Sequence, residues 1–188
     1  MKKKNILIPG LVILMLLAVL AACAPARIHS GSSAKEIDLN VDASLDRFTR
    51  DVKGASEFLA SAKGVLIIPK VIQGGFFVGG QYGEGALRIG GKTIDYYSLA
   101  GGSFGYQIGA QQKDIMLVFM EEEALNKFRA STGWQAGVDG TVAMANIGIE
   151  GSIDTTKIKD PIVGFVFGQK GLMAGVSISG SKFTKLTR

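Results

Sequence analysis

KGVLIIPKVIQGGFFVGGQYGEGAL, residues 63–87, decides how the chain folds, because its glycines stand where a strand normally carries side chains. The pattern runs on through RIGGKTIDYYSLA (88–100) and GGSFGYQIGAQ (101–111). Half of the 26 glycines lie between Lys63 and Gln111, among Phe76, Phe77, Val78, Tyr82, Leu87, Ile89, Tyr96, Tyr97, Phe104, Tyr106 and Ile108. A flexible linker of this glycine content would be serine-rich and poor in rings, whereas aromatic and β-branched residues belong to strands. Glycine inside a strand costs conformational entropy, so its repeated use points to sharp curvature, bulges or close backbone approach. The expectation is an α+β domain: a strongly curved antiparallel sheet or small barrel-like core, with an N-terminal amphipathic helix and one further helix. Nothing in the stretch offers a nucleophile, a base or a metal cluster, which favours binding over catalysis.

Downstream, strand signals continue almost to the end. Gly90–Gly91 between ALRI and KTIDYY predicts a two-residue hairpin turn, and Asp139–Gly140 between 136–138 and 141–144 predicts another. Ile115–Met120 and Ile162–Phe167 are nearly continuous apolar runs, as in strands covered on both faces. Leu172, Ala174, Val176 and Ile178 alternate with small or polar neighbours, as a half-exposed strand does. Between these strands the spacing predicts a helix over Glu121–Ser131, with Leu125 and Phe128 inward. Its acidic opening, Glu121, Glu122 and Glu123, complements the helix dipole.

Upstream lies the clearest helix, Asp42–Ala62, with Asp42 as N-cap and Leu45, Phe48, Val52, Ala55, Leu59 and Ala62 at steps of three and four. Two readings stand: the helix closes one face of the sheet, or it is an amphipathic surface helix that enters a bilayer interface. Asp46 with Arg50, and Lys53 with Glu57, form i,i+4 opposite-charge pairs, as on a solvated face. Before it, residues 23–33 read as a flexible tether, with Pro25, Gly31 and paired serines. The only histidine, His29, lies there as a solvated side chain, so no His-dependent triad is built.

Residues 1–22 have the form of a signal peptide: Lys2, Lys3 and Lys4, then an apolar run from Ile6 to Leu20. Leu20-Ala21-Ala22-Cys23 resembles the lipobox of bacterial lipoproteins, in which the cysteine receives a diacylglycerol thioether and becomes the first residue. Cys23 is the only cysteine and occupies the position that motif requires. Ala24 follows it, so resemblance to the usual sorting pattern implies an outer-membrane anchor with the domain facing periplasm or surface. Two or three acyl chains anchor stably where one binds only marginally. Removing residues 1–22 takes away three of the 21 basic residues and none of the 16 acidic ones, so the formal charge falls from +5 to +2. The case for a nucleic-acid partner weakens accordingly. With Cys23 acylated no disulfide can form, and the core must hold residues 34–188 together unaided.

Other chemistry finds no support. Gly175, Gly180, Ser181 and Lys182 look like a P-loop with its last two residues exchanged, but they follow a strand without opening a helix. Gly80, Gly83 and Gly85 run in the reverse order of a dinucleotide fingerprint. Glu84, Asp95 and Asp114 have no partner at the spacing paired-carboxylate catalysis uses. The expectation is no enzyme, no cofactor and no metal. Basic residues cluster late, at Lys157, Lys159, Lys170, Lys182, Lys185 and Arg188, and on one face they would attract anionic headgroups.

AKGVLIIPKV (62–71), GGFFVGGQYGEGAL, YYSLAGGSFGYQIGAQ (96–111), DIMLVFM (114–120) and KGLMAGVSISGS (170–181) resemble successive blocks of the SYLF domain family, in order over about three quarters of the chain. The resemblance implies a lipid-binding domain. Animal and fungal members are associated with phosphoinositides and membrane remodelling, and some fungal ones with actin. The tail after Ser181 departs from many eukaryotic members in lacking their aromatic ending. The leading expectation is therefore a membrane-anchored lipoprotein, acylated at Cys23, whose SYLF-like domain binds phospholipid. Lys63, Lys170, Lys182 and Lys185 would attract the headgroups, and Leu45 and Phe48 would enter the interface. The alternatives are a structural or protein-interaction lipoprotein with an envelope protein as partner, and a carrier of a small apolar ligand.

Overall fold

Ser33 starts the domain's first helix: its side-chain Oγ accepts the backbone N–H of Glu36 at 3.2 Å, satisfying one of the orphan donors of the first turn. In the computed structural model this helix, α1, spans Ala34–Asp51, and a short α2 spans Ala55–Ala60. The structure describes residues 31–76, 78–104, 109–145, 160–171 and 178–188, and Ser32–Arg188 form one compact unit. The expected signal peptide, Cys23, His29 and most of the strand expected after Gly171 lie outside the described residues.

The single helix expected over Asp42–Ala62 is thus corrected in three ways. It begins eight residues earlier, its cap is Ser33 rather than Asp42, and it breaks before α2 at Gly54, which has a left-handed φ of 79°. Periodicity could not show the break, because Val52, Ala55 and Leu59 stay in phase across it. Arg50 pairs with its neighbour Asp51 at 3.0 Å, not with Asp46.

Among the described residues eight strands follow in one strongly curled sheet: β1 Gly64–Phe76, β2 Val78–Ile89, β3 Lys92–Phe104, β4 Gly109–Phe119, β5 Gly133–Gln135, β6 Ala143–Met144, β7 Ile162–Gly171 and β8 Lys182–Leu186. Their order is β5-β8-β3-β2-β1-β4-β7-β6, antiparallel throughout except for the β6–β7 pair at one edge. The third helix, α3 (Glu122–Ala130), follows β4 and buries Leu125 and Phe128 as the spacing predicts.

Gly90 and Gly91 do form the β2–β3 turn, with φ of 57° and 77°. The second expected hairpin does not form. After β5 the chain turns back on itself, with the Gln135 N–H donating to Asp139 Oδ2 at 2.6 Å, and β6 pairs with β7 instead.

Apart from the turn at Gly90 and Gly91, the described part of the glycine-rich stretch is strand, and Gly85 shows why glycine is needed there. A Cβ at this position would lie 1.8 Å from the backbone carbonyl oxygen of Ile67. Close approach of the β1 and β2 backbones beside a bulge between Ile67 and Ile72 leaves no room for any side chain.

Each face of the sheet carries a buried apolar cluster. The α3 face carries Leu66, Ile68, Leu87, Tyr97, Leu99, Ile115, Leu117, Phe119, Trp134 and Phe183 around Leu125 and Phe128. The α1 face carries Ile67, Ala86, Met116, Val118, Val163, Phe165 and Phe167 beneath Ile37, Val41, Phe48 and Phe58. Alternate residues of β4 fall into the two clusters, as the apolar run 115–120 predicts for a doubly covered strand.

Candidate functional site

The pairing register sorts the basic residues. Across the sheet on the α1 face, direct Cα partners run Lys170, Gln112, Ile72, Tyr82, Ala100 and Lys182, one residue from each of β7, β4, β1, β2, β3 and β8. Directly paired residues of antiparallel strands share a face. The two lysines therefore close the ends of one row, about 24 Å apart along the sheet at about 4.8 Å per strand. Both are exposed, and neither pairs with a carboxylate among the described residues.

The other two lysines expected at the site are elsewhere. Lys63 precedes β1 and stands nine residues from Ile72, roughly 30 Å along the strand at about 3.3 Å per residue. Lys185 is paired with Tyr97, on the opposite face, and its ammonium holds Asp95 at 2.7 Å. One strand places Lys182 and Lys185 on different faces because their separation in β8 is odd.

Leu45 and Phe48 need correction too. Phe48 is 0% exposed, its ring 5.1 Å from Phe165 and 4.9 Å from Phe167, and Leu45 packs half-buried against the same cluster. Burying Ile37, Val41 and Phe48 contributes about 1.5–3 kcal/mol each, so releasing α1 would forfeit roughly 5–9 kcal/mol, comparable to the whole stability of a domain. The apolar face of α1 is committed to the sheet, and the reading in which it packs is the one realised.

Near the row, Lys70 carries a left-handed φ of 52° at the β1 bulge, and its Nζ donates to Asn40 Oδ1 on α1 at 2.8 Å. Glu84, two residues from Tyr82, accepts from the Tyr82 hydroxyl at 2.7 Å, the Ser32 N–H at 2.9 Å and Arg188 at 3.0 Å. Its charge is thereby neutralised, and the row and its surroundings are net basic. Partial burial and the Glu84 hydrogen bond both raise the Tyr82 phenol above its ordinary range.

On the α3 face at the same level, Lys113 is 0% exposed, and its Nζ donates to Gln73 Oε1 at 2.6 Å. Gln111 Nε2 donates to the same oxygen at 3.0 Å. Burial pushes the Lys113 ammonium below the usual lysine range. Periodicity missed this residue because a lysine between Gln112 and Asp114 reads as surface.

A cleft of about 480 Å³ lies between α3 and the β5 turn, lined among others by Glu121, Glu123, Lys127, Asp139 and Asp160. Four carboxylates line it beside Ala124, Trp134, Pro161 and Ile162, and no group of His, Cys, Asp and Glu among the described residues is placed to hold a metal ion. Beneath it, Tyr97, Phe119, Phe128, Trp134 and Phe183 stack ring on ring at 4.9–6.2 Å. The described part of the α3 face is filled by its own side chains.

Fold and surface together give a small curled-sheet domain with a basic row on one face. A family model described as Ysc84, Las17-binding protein actin regulator, matches residues 100–187, from the end of β3 to the end of β8. Residues 100–187 thus match the Ysc84 domain, the domain also called SYLF. Among curated proteins it is similar to SH3 domain-containing YSC84-like protein 1 of Homo sapiens and of Pongo abelii, each 30% identical over 131 residues. The same protein of Xenopus laevis is 28% identical over 131 residues. These alignments cover 65% of this chain and 37–38% of the relatives, so the chain spans little more than a third of their length. No helix among the described residues is long and apolar enough to cross a membrane.

Proposed function

We propose that this protein is a membrane-anchored lipoprotein whose Ysc84 domain binds phospholipid through anionic headgroups, without enzymatic activity. The observation that carries the reading is the shared row of Lys170 and Lys182, exposed and free of carboxylate partners among the described residues, with Lys70 beside it. Basic side chains near an anionic surface contribute about 1 kcal/mol each, so three of them amount to about 3 kcal/mol. That is too little to hold a soluble protein on a membrane by itself. An acyl anchor at Cys23 supplies the retention, and the row then sets which face meets the headgroups at high effective concentration. Las17 binding and actin regulation are what the family's description says of its members.

The test is sedimentation of the chain starting at Ala24 with vesicles of phosphatidylglycerol or of phosphatidylcholine at high lipid concentration. Binding is expected to favour the anionic vesicles and to weaken with salt. Equal binding to both, unaffected by salt, would remove the electrostatic basis of the reading. Mass analysis of the mature full chain is expected to find acyl groups on Cys23, and a mature start elsewhere would remove the anchor.

A further inference from the structure

We propose that the cross-strand pair Ile72–Tyr82 is the part of the domain that enters the interface of an anionic phospholipid bilayer, with Lys70, Lys170 and Lys182 placed around it on the headgroups. The inference rests on the phospholipid reading above and assigns it a contact surface.

Three observations converge. Ile72 is 65% and Tyr82 53% exposed, and they are direct Cα partners on β1 and β2, which makes one contiguous apolar patch at the middle of the row. Tyrosine suits the position chemically. Its ring is apolar and its hydroxyl is tied to Glu84 at 2.7 Å, the two-ended character that places tyrosine at membrane interfaces.

The second observation is the bare backbone beside the pair. On the same face, the next row is Ala110, Gly74, Gly80 and Gly102. Packing does not demand glycine at the last two. A Cβ at Gly102 would meet nothing within 4 Å, and one at Gly80 only the Gly101 carbonyl oxygen at 3.8 Å. Glycine in a strand where no neighbour requires it leaves room for a surface outside the domain to approach the backbone closely. Ile72 and Tyr82 stand as the tallest apolar groups beside that floor.

The third observation is charge. Lys170 and Lys182 end the row and Lys70 lies two residues from Ile72, while the two carboxylates beside them are taken, Glu84 by Arg188, Ser32 and Tyr82 and Asp114 by Ser44, Arg47 and the Lys70 N–H. An exposed apolar patch flanked by cations is complementary to a bilayer with anionic headgroups over an apolar interior. The helix expected to enter the bilayer cannot do so in this fold, since its apolar face is buried on the sheet.

The test reads depth directly. Full-length chains carrying Ile72→Trp, Tyr82→Trp or Ile94→Trp are bound to phosphatidylglycerol vesicles with or without brominated acyl chains. Ile94 is 43% exposed near the β2–β3 turn, at the opposite end of the strands. The native Trp134, 3% exposed, serves as the internal reference, and circular dichroism confirms that each variant is folded. The added emission of Ile72→Trp and Tyr82→Trp is expected to shift to the blue and to lose most of its intensity with brominated lipid, while Ile94→Trp is unchanged. Quenching of Ile94→Trp alone, or of none while the parent still prefers anionic vesicles, would overturn the contact surface and leave phospholipid binding standing. Loss of the anionic preference itself would overturn the phospholipid reading first. A blue shift that follows protein concentration in the absence of vesicles would make the pair an interface between copies of the chain and overturn the proposal.

Discussion

The backbone N–H of Lys70 donates to Asp114 Oδ1 at 2.8 Å, so a carboxylate on β4 fixes the left-handed bulge of β1. The other oxygen of Asp114 accepts from Ser44 Oγ at 3.0 Å and from Arg47, both on α1. One buried carboxylate thus joins the bulge that sets the register of the basic row to the helix that covers the rest of that face.

Asp114→Ala leaves those three donors without their acceptor. The expected loss is about 3 kcal/mol in urea unfolding, below the full cost of breaking a buried ion pair because the Arg47 guanidinium can turn to solvent. A loss under about 0.5 kcal/mol, the range of ordinary surface substitutions, would contradict this role.

At Gly85 even one methyl group has no place. Gly85→Ala is expected to cost at least about 3 kcal/mol or to prevent folding, since the obstruction is backbone rather than a movable side chain. Gly102→Ala, in open space on the neighbouring strand, is expected to leave the melting temperature within a few degrees of the parent. Equal effects of the two would show that the glycines do not act through close approach.

Tyr97 is 1% exposed, and its hydroxyl has no hydrogen-bond partner among the described residues. Burial first, and then the nearby Asp95 carboxylate, push its phenol up to about 12, with Arg129 opposing. The folded protein therefore keeps this proton at a pH where the unfolded chain, titrating near 10, has released it. Stability from this group is complete below about pH 10 and is lost as pH rises toward 12. Tyr97→Phe is expected to be no less stable than the parent at neutral pH and to lack this part of the alkaline decline, measured by urea unfolding across that range. An identical decline in the variant would place its source elsewhere.

The sequence showed the elements whose signals are local. The Gly90–Gly91 turn, the doubly covered strands around Ile115–Phe119 and Ile162–Phe167, and α3 with Leu125 and Phe128 inward all stand where spacing puts them. It did not show the break at Gly54, because the apolar positions continue in phase through it. Nor could it decide what α1 covers, since an amphipathic stripe looks the same whether it meets a sheet or a bilayer. The row was illegible for a different reason. Lys170 and Lys182 are brought level only by pairing through four intervening strands, with register shifts at Ile68/Val71 and Gln112/Asp114 that no local pattern encodes. One signal was available for Tyr82: it and Glu84 alternate with Gly83 and Gly85, which puts the side chains on one face and bare backbone on the other.

The most direct test compares two charge-neutralised proteins, Lys170→Gln/Lys182→Gln and Lys63→Gln, for binding to phosphatidylglycerol vesicles. Two headgroup contacts at about 1 kcal/mol each correspond to roughly 30-fold in affinity, so the row variant is expected to bind about that much more weakly than the parent. Lys63→Gln, at the far end of the strands, is expected to bind like the parent. Equal weakening of both, or none in the row variant, would contradict a phospholipid surface built on that row.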